Sequence, residues 1–280
     1  MKNLNNRIGA TLAACGIALL TGAPARAADA SPWVEDTYSA IRLIAGANRS
    51  GADSLRAGIE IKMQPAWHTY WRYPGDSGVP PRFSFFGSDN LATVKVLYPA
   101  PHAFTDEVGT TIGYKGNVIL PLRVFPRQMD KPVTLRAKID YAVCDRLCVP
   151  VEAHLELTLS GAGGADNPAL AAAEARVPKP VSAAEAGLTA RRANDDKLKP
   201  LVFVDLAAPT GQTVELLVEG PTSEWALPIP KPAQGAPPGH QHFGFELDGL
   251  PPGVDPKGPF ELTFTIVQGD RATEVKTHLD

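Results

Sequence analysis

Cys144 and Cys148 stand three residues apart in the run Tyr141-Ala142-Val143-Cys144-Asp145-Arg146-Leu147-Cys148-Val149-Pro150, and the 280-residue chain has one other cysteine, Cys15. Two thiols this near in sequence support three kinds of chemistry. They can close a small structural loop, hold a soft metal ion, or cycle between dithiol and disulfide against a partner's thiols. A disulfide across so short a loop removes little entropy from the unfolded chain, which makes a purely structural staple a weak explanation. A copper or zinc site needs further ligands. Met63, His68 and His102 are the candidates in principle, but no C-x2-C or H-x3-H spacing accompanies them. Exchange needs only two thiols close enough to bond in an accessible segment, one to attack a partner's disulfide and one to resolve the mixed disulfide. Arg146, between the two, either lowers a thiolate's pKa electrostatically or faces water.

The chain's start bears on this choice. Lys2 and Arg7 precede an apolar run from Ile8 to Leu20, followed by Ala25-Arg26-Ala27, an A-x-A cleavage pattern, with a second option at Ala28-Asp29-Ala30. This is the layout of a secretory signal peptide over residues 1–27. Leu12-Ala13-Ala14-Cys15 also fits a lipoprotein box, but the apolar run continues past Cys15 and is short before it. Cleavage after residue 27 removes Cys15 and leaves Cys144 and Cys148 as the mature chain's two thiols. No later apolar run approaches the roughly 20 residues that span a bilayer. The expectation is a soluble, periplasmic protein in an oxidising compartment, where neighbouring thiols close into a disulfide unless something reduces them. A formal net charge of -3 gives no basic footprint for nucleic acid. Roughly 250 mature residues suffice for two domains with real cores, so folding does not depend on one disulfide.

The elements that must position the cysteines read as strands. Residues 57–63, 92–98 and 151–159 alternate apolar and polar, as half-buried strands do. Residues 117–125 form a more continuous apolar run suited to a central strand. Residues 133–143 alternate again and lead directly into Cys144. Two Trp, two Tyr and a His fall within Trp67-His68-Thr69-Tyr70-Trp71-Arg72-Tyr73, before the turn residues Pro74-Gly75. Bulky aromatics at alternate strand positions build sandwich cores. Pro and Gly punctuate these runs, and the pattern over residues 31–160 is that of an antiparallel sandwich. Composition changes at Gly161-Ala162-Gly163-Gly164. Asn167-Pro168 then supply an N-cap and a proline for an alanine-rich helix ending before Val177-Pro178, and a second short helix follows in a linker reaching residue 200. Five strands over 201–206, 213–218, 241–247, 259–267 and 273–278 make a smaller second β-domain over 201–280, with a proline-rich loop at 228–238. His240 and His242 alternate on one of these strands and read as a solvated face.

The ordered set Trp67 to Gly78, Asp106-Glu107-Val108-Gly109, Gly113 to Pro121, Tyr141 to Cys144 and Cys148-Val149-Pro150 resembles the periplasmic N-terminal domain of DsbD-type thiol:disulfide interchange proteins. The ScsB-like branch, with two β-domains in its N-terminal region, is the nearer likeness. The resemblance covers residues 35–160 well and extends more loosely to the second domain. It implies an all-β fold: an immunoglobulin-like antiparallel sandwich, a short helical linker and a second, smaller sandwich-like domain. It implies that Cys144 and Cys148 are the redox pair, and that a cap loop at about Phe104 to Tyr114 shields them until a partner docks. Asp106 and Glu107 match that loop's acidic residues, and a carboxylate beside a thiol raises its pKa and restrains it. An ordinary solvated turn accounts for the two acids equally well. The family's cap aromatic falls at Val108, a departure for which Phe104 is a substitute.

The chain shows neither the membrane segment nor the C-terminal thioredoxin domain of full-length relatives. The expected role is a periplasmic electron relay without cofactor or resident metal, working with thioredoxin-like proteins and a separate membrane electron donor. The rival readings are a copper-binding or copper-tolerance module using the same cysteines, an association the ScsB-like resemblance brings, and an interaction module whose disulfide is inert.

Overall fold

The computed structural model describes residues 28–48, 52–75, 78–105, 109–193, 199–209 and 211–280. The expected leader with Cys15, and Asp106, Glu107 and Val108, lie outside the described residues. Strands dominate, and among the described residues no helix is long and apolar enough to cross a membrane.

Two sheets make the first sandwich. One runs in the order β1 (Val34–Glu35), β2 (Ser39–Gly46), β3 (Leu55–Met63), β9 (Val118–Pro126) and β6 (Leu91–Val96). The other runs β11 (Cys148–Leu159), β10 (Val133–Cys144), β4 (His68–Gly75), β8 (Thr110–Lys115) and β7 (His102–Thr105), with β5 (Arg82–Ser84) also paired to β10. All these pairings are antiparallel. The alternation read from sequence becomes a two-faced sheet: along β10, Val133, Leu135, Ala137 and Ile139 turn inward against Ile41, Leu43, Ile59 and Leu120 of the opposing sheet. The fold is an all-β, immunoglobulin-like sandwich.

The segment 161–200 holds more than helix. The helix α1 (Asn167–Ala175) lies on the first sandwich, with Leu170 fully buried over the glycine backbone at Gly46 and Gly58. Asn167 does not cap it. The N-cap is Asp166, without a side-chain cap bond, while the Asn167 Oδ1 accepts from the Ala47 amide and the Arg56 guanidinium. The second helix, α2 (Ala183–Ala186), has a full capping box between Ser182 and Glu185 and ends at Gly187 in the left-handed region. Between and after the helices, β12 (Lys179–Val181) and β13 (Leu188–Arg192) pair into the second sandwich.

That second sandwich joins the sheet β12, β19 (Arg271–Leu279), β18 (Phe260–Gln268), β15 (Glu215–Glu219) to the sheet β13, β14 (Leu201–Ala207), β17 (His240–Glu246), β16 (Lys231–Pro232). Its core gathers Val202, Val204, Phe243, Phe245, Leu262 and Phe264. The two units meet along β4 and β7. Leu217 of β15 is buried in the first core, and the Tyr73 hydroxyl donates to the Leu227 carbonyl at 2.6 Å. Arg72 donates to Glu219 at 2.7 Å and to Glu274 at 2.5 Å.

Candidate functional site

The register of one hairpin creates the site. β10 and β11 pair over their whole length, and the last partners before the turn are Cys144 and Cys148. Antiparallel pairing therefore sets the two Cα atoms 4.2 Å apart, and the sulfurs are joined as a disulfide. Asp145, Arg146 and Leu147 make the exposed turn, closed by the Asp145 amide donating to the Leu147 carbonyl at 3.2 Å. The two sulfurs have unequal surroundings. Cys144 is 2 % exposed, beneath Tyr70 and Ala142, whereas Cys148 is exposed. Cys148 opens onto an apolar groove of about 600 Å³ lined by Val79, Pro80, Tyr141, Ala142, Pro150 and Val151. Glu152 stands on its rim. Hydrogen bonds from Lys138, then His154, hold that exposed carboxylate at about 2, so the rim stays anionic.

β4 supplies the other wall, because His68 and Thr69 are the register partners of Cys144 and Val143. Trp67, Trp71 and Tyr73 of the aromatic run belong to the first core, with Trp67 stacked on Tyr38 at 3.8 Å. Tyr70 is out of phase with Trp71 and Tyr73. Its hydroxyl lies 2.8 Å from the Cys144 sulfur and 3.2 Å from the Cys148 sulfur. Two glycines of the motif set hold it there. A Cβ on Gly113 of β8 would run into the Thr69 carbonyl, and one on Gly78 would enter the Tyr70 ring. Only a residue without a side chain allows either approach. Sequence reasoning kept Tyr70 within the aromatic core; the signal available was its odd position in the strand alternation.

The other expected site residues separate. Phe104, on β7, lies against His68 with ring centres 6.0 Å apart, and the Lys115 ammonium sits 4.3 Å over its ring. It thus lies against the strand partner of Cys144, one side chain away from the disulfide. Tyr114 is not part of a loop. It is a buried β8 residue whose hydroxyl donates to the Pro99 carbonyl at 2.8 Å, and burial pushes its pKa well above the ordinary value. Of the residues weighed as copper ligands, Met63 faces the first core, His102 is exposed beside Glu215 and His68 flanks the disulfide. Among the described residues no group of three or more His, Cys, Asp or Glu is arranged to hold a metal ion. His242 departs from the expected solvated face. It is 9 % exposed, stacked on Phe203 and 2.6 Å from the Asp205 carboxylate, because its side of β17 is covered by Phe203.

Residues 43–160 match the family described as thiol:disulfide interchange protein DsbD, N-terminal. The crystal structure of the N-terminal periplasmic domain of ScsB from Proteus mirabilis superposes with a TM-score of 0.69 at 20% identity, covering 90% of this chain and 98% of that one. A marsupial T cell receptor also aligns, at 13% identity over 85% of this chain and 99% of its own, with a TM-score of 0.23. No curated protein matches the sequence.

Proposed function

We propose that this chain, whose residues 43–160 match the DsbD N-terminal family, is a periplasmic thiol:disulfide exchange protein. It relays reducing equivalents through Cys144 and Cys148 to or from thioredoxin-like partners. The observation that carries the reading is the asymmetry of the pair: an exposed Cys148 sulfur bonded to a buried Cys144 sulfur at a hairpin tip. Exchange proceeds by in-line attack of a thiolate on one sulfur, so access decides which sulfur is attacked. A reduced partner's thiolate attacks the Cys148 sulfur through the apolar groove. The Cys144–Cys148 bond breaks, its electron pair leaves on Cys144, and a mixed disulfide forms at Cys148. The partner's second thiolate then attacks its own sulfur in that mixed disulfide and releases Cys148 as a thiolate. Two electrons and two protons have moved from the partner's dithiol to the pair. Run in reverse, the same steps reduce an oxidised partner. Phe104, beside His68, is the aromatic that limits access from the β7 side.

Single-cysteine variants test this reading. C144S leaves an exposed, unresolved thiol at Cys148 and is expected to accumulate mixed disulfides with thioredoxin-like proteins in periplasmic extracts, while C148S accumulates few. If neither variant traps a partner and reduced thioredoxin-like proteins leave the wild-type disulfide intact, the exchange role is wrong.

A further inference from the structure

We propose that the Tyr70 hydroxyl is a catalytic group of this exchange, donating a hydrogen bond to the Cys144 thiolate as the disulfide opens. The inference rests on the exchange reading and adds to it the group that makes Cys144 a good leaving sulfur. In the disulfide neither sulfur carries a proton, so the one tyrosine O–H proton is the donor, shared between Cys144 at 2.8 Å and Cys148 at 3.2 Å with the shorter contact to Cys144. When a dithiol's thiolate attacks Cys148, the electron pair of the S–S bond goes to Cys144, which is 2 % exposed. Burial disfavours a thiolate there and raises the thiol's pKa. A hydrogen bond to the charged form opposes that shift, and leaving-group departure is faster for the more acidic thiol.

The hydroxyl is pre-positioned for this. Tyr70 is itself 3 % exposed, packed with Ala142 and Cys144, and its ring is fixed by the close approach of Gly78. The donor therefore stands in place before charge develops, with little reorganisation left for the reaction itself. It reaches both sulfurs, so as Cys148 is later released the same O–H lies within range of the second thiolate.

The test is reduction of the purified protein's disulfide by dithiothreitol, followed in wild type and Tyr70→Phe. The substitution keeps the ring and removes only the O–H, and near-ultraviolet circular dichroism checks that packing is retained. The expected result is a fall in the reduction rate of roughly tenfold to a hundredfold, the range for losing a hydrogen bond to a charged group. A second measurement excludes a packing effect. In a C148S background, the Cβ chemical shift of labelled Cys144 is titrated with pH, and Tyr70→Phe is expected to raise the thiol's pKa by about one unit or more. Unchanged rate, or a slower rate with an unmoved Cys144 pKa, overturns the proposal. Because dithiothreitol replaces the protein partner, failure of C144S to trap thioredoxin-like proteins would sink the partner reading while a Tyr70→Phe effect still supported the hydroxyl's role.

Discussion

Tyr70 and Tyr114 sit on adjacent strands, and their hydroxyls end in opposite settings. Tyr114 donates to the Pro99 carbonyl deep in the first core, and its raised pKa keeps it a neutral structural donor. Tyr70 points to the other face and meets the sulfurs. The sequence makes the cysteine pair and the aromatic run conspicuous, but not this difference. Which face a strand residue takes depends on register against β8 and β10, and a one-residue slip would exchange the two faces. Phe104 was legible only as a stand-in for an aromatic missing at position 108. Its ring contacts both His68 and the Lys115 ammonium, on the β7 side of the disulfide. Phe104→Ala is accordingly expected to speed reduction of the disulfide by dithiothreitol severalfold while leaving the cysteine pair's reduction potential near wild type. An unaltered rate would show that the ring does not limit access.

At the scale of elements, strands whose residues alternate apolar and polar, and one long apolar run, were the readable ones. β3, β10 and β11 alternate in sequence and fall within two or three residues of the expected bounds. β2, β8 and β12 were not read. Most of β2 and β8 is buried, so the polar alternation that marks a strand is absent. β12 is a three-residue edge whose pairing with β19 is parallel and set wholly by tertiary contacts. α1 was read from its alanines and Pro168, yet what fixes it is its far end and one leucine. Glu174 receives hydrogen bonds from two of the three Arg56 guanidinium nitrogens, at 2.7 Å and 3.0 Å, and a salt bridge from Arg123 at 2.5 Å. Burial raises the Glu174 pKa, but the bonds from Arg56 and Arg123 together outweigh it and hold the carboxyl below its ordinary 4.5. A depressed carboxyl stabilises the fold above its unfolded-state pKa and loses that contribution as pH falls through the folded value. Glu174→Gln is therefore expected to cost about 2–3 kcal/mol at neutral pH, where it leaves two guanidinium groups without their anion. Urea midpoints measured for both proteins should draw together below a pH of about 4.5. A gap that stays constant from neutral to acid pH would show that the ion pairs are not its source.

Over the whole molecule, the second sandwich is fastened to the strand that carries Tyr70. Arg72 lies two residues after Tyr70 on β4 and spans to Glu219 on β15 and Glu274 on β19. It also lies 4.5 Å over the Trp71 ring. Burial works against its charge, yet hydrogen bonds and attraction from Glu219, with Glu274 adding to them, keep its pKa above the ordinary arginine value. Tyr98, beside the same network, is pushed up to about 12, chiefly by burial. Nearby, Glu215 accepts from the Ala103 amide, so β7 is held by the same sheet that holds β4. Composition pointed to two domains but carried no sign of this joint, because a charged residue in an aromatic run reads equally well as a solvated strand position. Arg72→Leu keeps the aliphatic bulk but leaves Glu219 and Glu274 facing each other, and removing one partner of such a partly buried cluster costs less than the ~3–5 kcal/mol of a fully buried pair. The loss belongs to the junction and not to the second core, since the partners of Arg72 there, Glu219 and Glu274, lie outside that core. Hydrogen exchange resolved by segment should therefore accelerate at β4 and β15, while β14 and β17 exchange at the wild-type rate. If β4 stays as protected as before, the second sandwich does not steady the strand that holds Tyr70 against the disulfide.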